Sequence, residues 1–448
     1  MMPAAIRCMR RCWLLTAMMA GQPALAGGDY VAGDYKEGYE SGDYATRSVA
    51  LDTRARRAQS ADLLQVFNRP PLGLPAVPVP VDSPATPATL ALGRKLFFDR
   101  RLSLNGTMSC AMCHVPEQGF ASNELALAVG LEGRTVRRNA PTLYNVAYFE
   151  RLFHDGRENH LEQQVWLPLL ASNEMANPSV GEVIRKLEEL TDYRGLFEAA
   201  FDGRGPDMET VGAAIATYER ALVSGGSPFD RWRYGGEDNA LDPAAQRGFR
   251  LFAGKGGCSS CHLIGDEAAL FTDNGFHNTG VGWYAAMQRD VTHRRVQLAP
   301  GVYQMVSTDI IAGVSGPVEG DVGLYEITGD PVDRWRYKTP GLRNIALTAP
   351  YMHDGSLLTL TDVVAFYNRG GHRNQGQDPR IRPLGLSEAE VRELVVFLES
   401  LTGDNVASLV ADAFAAPIGD PGRGVSDRAR RQPAEYDKRP VSPDRALQ

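Results

Sequence analysis

Four cysteines and two histidines constrain this chain more tightly than anything else in its 448 residues. Cys8 and Cys12 sit in a segment that reads as a removable leader. The remaining thiols fall in two pairs, each with histidine next: Cys110-Ala-Met-Cys113-His114 and Cys258-Ser-Ser-Cys261-His262. That pattern is the c-type haem attachment signature, present twice. Two thiols add to the haem vinyl groups while the adjacent imidazole turns back to ligate iron, so the fold must wrap two porphyrins. The competing readings are a zinc site built from all four thiols, and a pair of disulfides or redox Cys-x-x-Cys motifs. Zinc would not require histidine after both pairs. A disulfide framework would not leave the rest of the mature chain without cysteine.

The first residues fit an export signal. Arg7, Arg10 and Arg11 give a basic start, Trp13 to Ala20 an apolar run, and Ala24-Leu25-Ala26 a small-residue cleavage site, so residues 1–26 are expected to be removed and the protein to be periplasmic. The apolar run is too short to span a membrane, and no later stretch approaches spanning length. A net charge of −7 offers no footprint for nucleic acid. Residues 27–85 are poor in large aliphatics, repeat Gly-Asp-Tyr and then turn proline-rich, which predicts a disordered linker. Residues 417–448, rich in Arg, Asp and Pro, predict a disordered tail.

Between these ends the pattern is helical. Val180, Val183, Ile184, Leu187 and Leu190 recur at helix spacing, as do Val391, Leu394, Leu398 and Leu401, the second run opening on a Ser387/Glu390 capping box. Strand-like alternation is confined to about Arg295–Val306. An internal repeat organises the rest. Gly93-Arg-Lys-Leu96-Phe97 precedes the first haem motif, and Gly248-Phe-Arg-Leu251-Phe252 the second. Pro141-Thr-Leu143-Tyr-Asn145 leads to His154-Asp155-Gly156 over the same interval at which Pro340-Gly-Leu342-Arg-Asn344 leads to His353-Asp354-Gly355. The fold class this predicts is mainly α: two cytochrome c-like haem domains related by internal duplication, with long loops. The boundaries read as 86–235 and 236–416. The stretch from His262 to His353 is much longer than that from His114 to His154, so the second repeat carries an insertion, mostly Gly282 to Asp321.

Superposing the repeats asks what each iron would face. Tyr367 follows His353 at the interval at which Pro168 follows His154, so the two positions correspond. No histidine occurs between His114 and His154. The first iron therefore reads as open to peroxide, and the second as closed by Tyr367. A core tyrosine, with Met352 or another residue as ligand, is the alternative.

These residues, together with Arg138-Asn139-Ala140-Pro141-Thr142, Leu161-Glu162-Gln163-Gln164, Asn173-Glu174-Met175, Phe276-His277-Asn278-Thr279-Gly280 and Lys338-Thr339-Pro340, carry a family likeness over about residues 86 to 403. The chain resembles the bacterial di-haem cytochrome c peroxidases, especially their MauG-like branch. The resemblance implies a peroxidatic first haem with Gln164 and Glu174 in its distal pocket. It also implies a calcium ion between the domains, held by Asn139 and the carbonyls of Thr348 and Pro350. A carboxylate over the haem can take a proton from one peroxide oxygen and return it to the other, and an uncharged amide suits positioning. Tyrosine at 367 is the MauG-like choice where other members place methionine, and a phenolate lowers the haem potential. The chain departs from the pattern at His154, where the family commonly has tryptophan between the haems.

Three functions follow as expectations. Hydrogen peroxide could be reduced with electrons from a small periplasmic cytochrome or cupredoxin, or its oxidising power could be turned on a protein substrate. The rival is a non-catalytic di-haem electron-transfer cytochrome.

Overall fold

Two helix pairs, one in each half of the chain, set the architecture. Pro87–Phe98 packs on Met208–Ala221, and Pro243–Ala253 packs on Glu388–Glu399. Both crossings are made possible by a glycine. A Cβ on Gly93 would lie 1.9 Å from the Ala214 carbonyl oxygen, and one on Gly248 2.0 Å from that of Glu393. This is why the repeated Gly-x-x-Leu-Phe block begins as it does, since only glycine lets the two backbones approach so closely. The structure, a computed structural model, describes residues 58–419 except 82, 124, 288–291, 300–301 and 316–319. The leader expected at 1–26, the linker to residue 57 and the tail from 420 lie outside the described residues.

Each helix has a local reason to start where it does. Thr86 and Thr89 form a capping box with Pro87 in the first turn, Asp207 and Thr210 another, and the Ser387/Glu390 box opens Glu388–Glu399 as the sequence predicts. The repeated asparagines have a physical explanation too. Asn145 and Asn344 both adopt left-handed backbone, φ 62° and 60°, ahead of the short helical turns Val146–Tyr148 and Ile345–Leu347. Their backbone amides donate to Leu222 O at 2.9 Å and Leu401 O at 3.1 Å, tying each loop to a helix end. Strand is scarce among the described residues: Phe276–His277 pairs antiparallel with Tyr337–Lys338, and the insertion carries the hairpin His293–Ala299 with Val302–Ser307, where alternation is seen in the sequence.

Two apolar cores result. The first holds Leu96, Phe97, Phe120, Tyr144, Trp166 and Tyr218, the second Phe229, Phe252, Phe271, Leu394 and Phe397. Packing corrects the sequence reading in three places. Residues 58–85 are no linker: Leu63 enters the first core, Val66, Leu74 and Val77 form a cluster with Tyr148, and Ala61 N donates to Asp412 Oδ1 at 2.9 Å. Scattered apolar residues among prolines concealed this. The boundary at 235 falls too late, because Phe229 already packs in the second core, 5.4 Å from Phe271 and 5.7 Å from Phe397 between ring centroids. Finally, helix Val406–Phe414 returns to the first core through Val406, Leu409, Val410 and Ala413 rather than staying with the second.

Candidate active site

Each Cys-x-x-Cys-His segment closes a tight turn, with His114 N donating to Cys110 O and His262 N to Cys258 O, both at 2.9 Å. The imidazoles are then fixed alike. His114 Nδ1 is 3.1 Å from Phe120 O, and His262 Nδ1 is 2.8 Å from Phe271 O. A carbonyl only accepts, so Nδ1 carries the proton and Nε2 keeps its lone pair for a metal. Burial lowers the pKa of both rings and keeps them neutral. The four thiols are unbridged, and burial pushes Cys113 and Cys258 up to about 12. One convergence of metal-capable side chains occurs among the described residues, Cys261 with Asp273 and His277, and it gathers one cysteine rather than four. His277 is already engaged, its two ring nitrogens 2.8 Å from Asp273 and Asp378 carboxylates. The geometry thus supports neither the zinc reading nor the disulfide reading.

Both motifs open onto one continuous cavity of about 760 Å³. Every residue proposed from the sequence to attach haem, ligate iron, hold calcium or act in the distal pocket lines it. Gln164, Glu174, Tyr367, Asn139, Thr348 and Pro350 all stand in its wall, with Glu174 close enough to Cys110 and Cys113, and Tyr367 to Cys258 and Cys261, to interact electrostatically. Gln164 ends helix Leu161–Gln164, and Glu174 is fixed by backbone bonds, its N donating to Ala171 O at 3.0 Å and its O accepting from Leu131 N at 2.9 Å. Burial raises the Glu174 carboxyl above the ordinary carboxylate range, partly offset by the Arg157 charge. Tyr367 lies in Leu360–Asn368, started by the Thr359/Asp362 capping box, and burial with Cys258 and Cys261 nearby raises its phenol strongly. Pro168, its counterpart, lies in Trp166–Leu170 and has no donor atom to offer. Met352 also lines the cavity.

The cavity wall fits haem in another respect that the sequence reading missed. Lys338 is half-buried with its ammonium 3.7 Å over the Phe149 ring, and among the described residues no carboxylate pairs with it. Burial pushes it down to about 8. An unpaired ammonium held partly out of water is costly, and a haem propionate is the anion that would offset it. The Lys-Thr-Pro motif was the only local signal. Beside it, His154 Nε2 lies 3.0 Å from Asn139 O, so that nitrogen donates. Burial, then the neighbouring His353, push this imidazole down to about 3 and keep it neutral. Asn139 Nδ2 donates to Ala126 O at 2.9 Å, which leaves the amide oxygen as the end able to meet a cation. Arg138 bridges Asp155 of the first half and Asp321 at the end of the insertion, reaching Asp321 at 2.6 Å.

A family model for di-haem cytochrome c peroxidase matches residues 87–239. The cytochrome-c peroxidase IdrP1 of Denitromonas iodatirespirans is 38% identical over 341 residues, covering 74% of this chain and 86% of that one. The methylamine utilization protein MauG of Methylorubrum extorquens is 36% identical over 373 residues, covering 82% and 93%. Among solved structures, a MauG-like protein associated with microbial copper homeostasis superposes with a TM-score of 0.62 at 30% identity, over 78% of this chain and 98% of that one. The chain belongs to the di-haem cytochrome c peroxidase family. It is accordingly a peroxidase/MauG-like di-haem oxidoreductase, which implies two c-type haems.

Proposed function

We propose that this protein is a periplasmic di-haem peroxidase whose two halves, related by duplication, do different work. His114 would hold a haem that supplies peroxide binding, and His262 with Tyr367 would hold one that supplies electron exchange with the outside. The observation that carries this reading is the unequal company of two equally held imidazoles on one cavity: Glu174 lies near the Cys110/Cys113 pair, whereas Tyr367 lies near the Cys258/Cys261 pair. When bound, a c-type haem with an open iron supplies peroxide activation, and the chain's own residues manage protons and position. Glu174 takes a proton from the inner peroxide oxygen and returns it to the outer one, while Gln164 orients the molecule by donating and accepting. Lys338 holds a propionate, and Asn139 with the carbonyls of Thr348 and Pro350 holds a calcium ion where the halves meet. The raised pKa of Glu174 in the cavity favours this over a non-catalytic electron carrier, because the carrier needs no buried acid there.

The electrons come from a small cytochrome or cupredoxin, or oxidising equivalents pass to a protein substrate in MauG-like fashion; tyrosine at 367 favours the second. Electron paramagnetic resonance of the oxidised holoprotein, repeated after one equivalent of peroxide, tests the central point. One high-spin and one low-spin centre are expected, with the high-spin signal consumed first. Two low-spin centres that ignore peroxide would refute it. Turnover with peroxide and reduced cytochrome then separates the two fates: rapid turnover marks a reductase, while slow turnover with a long-lived oxidised state marks MauG-like chemistry.

A further inference from the structure

Reducing one hydrogen peroxide to two waters takes two electrons from the donor and two protons from outside the protein. A carboxyl that passes peroxide's own proton between its oxygens leaves that external pair to be supplied. The cavity wall holds a second acid that no sequence motif marks. Glu219 sits near the end of Met208–Ala221, lines the cavity with Cys110 and Glu174, and is 5% exposed. Its Oε2 is buried without a hydrogen-bond partner among the described residues, and so is Nη1 of Arg220 next to it. Helix Leu161–Gln164, which carries Gln164, packs on the same helix and brings Glu162 to Arg220 Nη2 at 2.6 Å. The Glu162 side chain keeps 24% of its surface in solvent.

We propose that Glu219 is the proton-relay residue through which external protons reach the peroxide side of the cavity, fed from solvent at the Glu162–Arg220 pair. The proposal rests on the peroxidase reading above. Twice in each cycle the Glu219 O–H bond breaks and its proton joins an oxygen leaving as water. Each time the Glu219 carboxylate takes a proton from a water at the Glu162–Arg220 pair, and that water regains its proton from bulk solvent, so that two passes supply the external pair. Glu219 Oε2 and Arg220 Nη1, both buried and unpartnered among the described residues, are polar groups of the kind that internal waters satisfy. Burial pushes Glu219 up to about 8, Arg220 opposing and the Glu162 charge adding to it, so the group carries its proton at neutral pH. The other ionisable neighbours offer no second route. Cys110 becomes a thioether on haem attachment, and Glu174 faces the same cavity. Lys95, on Pro87–Phe98, turns to Asp192 at 2.7 Å. Tyr144 and Tyr218 are buried phenols with raised pKa, and Asp412, 2.6 Å from Arg94, is 1% exposed.

The test uses wild type, E219Q, E219D and E162Q, each loaded with both haems and checked by haem absorbance. Each is mixed with hydrogen peroxide and a reduced small cytochrome over a pH range centred on about 8. E219Q should turn over roughly tenfold to a hundredfold more slowly, near the low end of general acid–base effects. It should also lose the inflection near pH 8 that wild type shows and E219D partly keeps. An infrared difference spectrum on peroxide addition should show a carboxylic acid carbonyl band in wild type that E219Q lacks. E162Q should keep that band but take up protons more slowly from a pH-indicating dye. An E219Q protein with the wild-type pH profile and infrared band would overturn the proposal. If E219Q does not fold, wild-type proton uptake in E162Q would overturn it instead. Failure of the wild type to react with peroxide would refute the peroxidase reading itself, a different result from reaction without the Glu219 signature.

Discussion

The His114 and His262 motifs are held alike but do not have the same residues at corresponding positions further along the chain. Each imidazole is oriented by one phenylalanine carbonyl, and each motif turn is closed by a bond of the same length. At the corresponding sequence position downstream, one half has Pro168 and the other Tyr367, each in a helix and each lining the cavity. The attachment motif therefore says that a porphyrin is held and says nothing about its task. In the proposed function, the task is set at one register position of a later helix, together with a loop acid such as Glu174.

The contrast can be broken most severely at that acid. Replacing Glu174 by Gln should slow peroxide cleavage by about 10²–10⁴-fold, measured by stopped-flow absorbance, and leave the low-spin signal of the other centre untouched. The same experiment carries a pH signature. The carboxylate is the form that accepts a proton, so the wild-type rate should fall as pH drops through the raised Glu174 pKa, above the ordinary value of about 4.3, and this limb should vanish in E174Q. Tyr367→Met should act on the other side alone. It should raise the potential of the second haem by about a tenth of a volt or more, within the ~0.8 V that axial ligands command, and speed reduction by a cytochrome; an unchanged potential would remove Tyr367 from the iron. The smallest effect should be symmetrical. Gly93→Ala and Gly248→Ala each press a methyl into a backbone carbonyl and should cost about 1–3 kcal/mol in thermal unfolding, by similar amounts.

What could be read from the sequence was whatever depends on local chemistry. The attachment motifs, the Ser387/Glu390 capping box, the strand-like alternation at about 295–306 and the paired asparagine blocks all follow from residues within a few positions of one another. Gln164 and Glu174 were legible through the family resemblance and Tyr367 through its register after His353, and all three line the cavity. Lys338 and Glu219 were opaque because their character comes from burial and from partners they lack, which no spacing records. Residues 58–85 misled because their few apolar side chains are spread singly, each filling a gap in a surface made by distant helices. His154 shows the reverse. Its identity is plain in the sequence, yet only the Asn139 carbonyl and the burial around it reveal a ring locked neutral.

The return of Val406–Phe414 to the first core binds the fate of one half to the other. Leu409 and Val410, 3% and 0% exposed, each contribute about 1.5–3 kcal/mol of burial to a core built mostly from residues far earlier in the chain. Melting either lobe strips apolar cover from its neighbour, so heat should dismantle both in a single cooperative event, and the gap that receives the porphyrins is clasped from two directions.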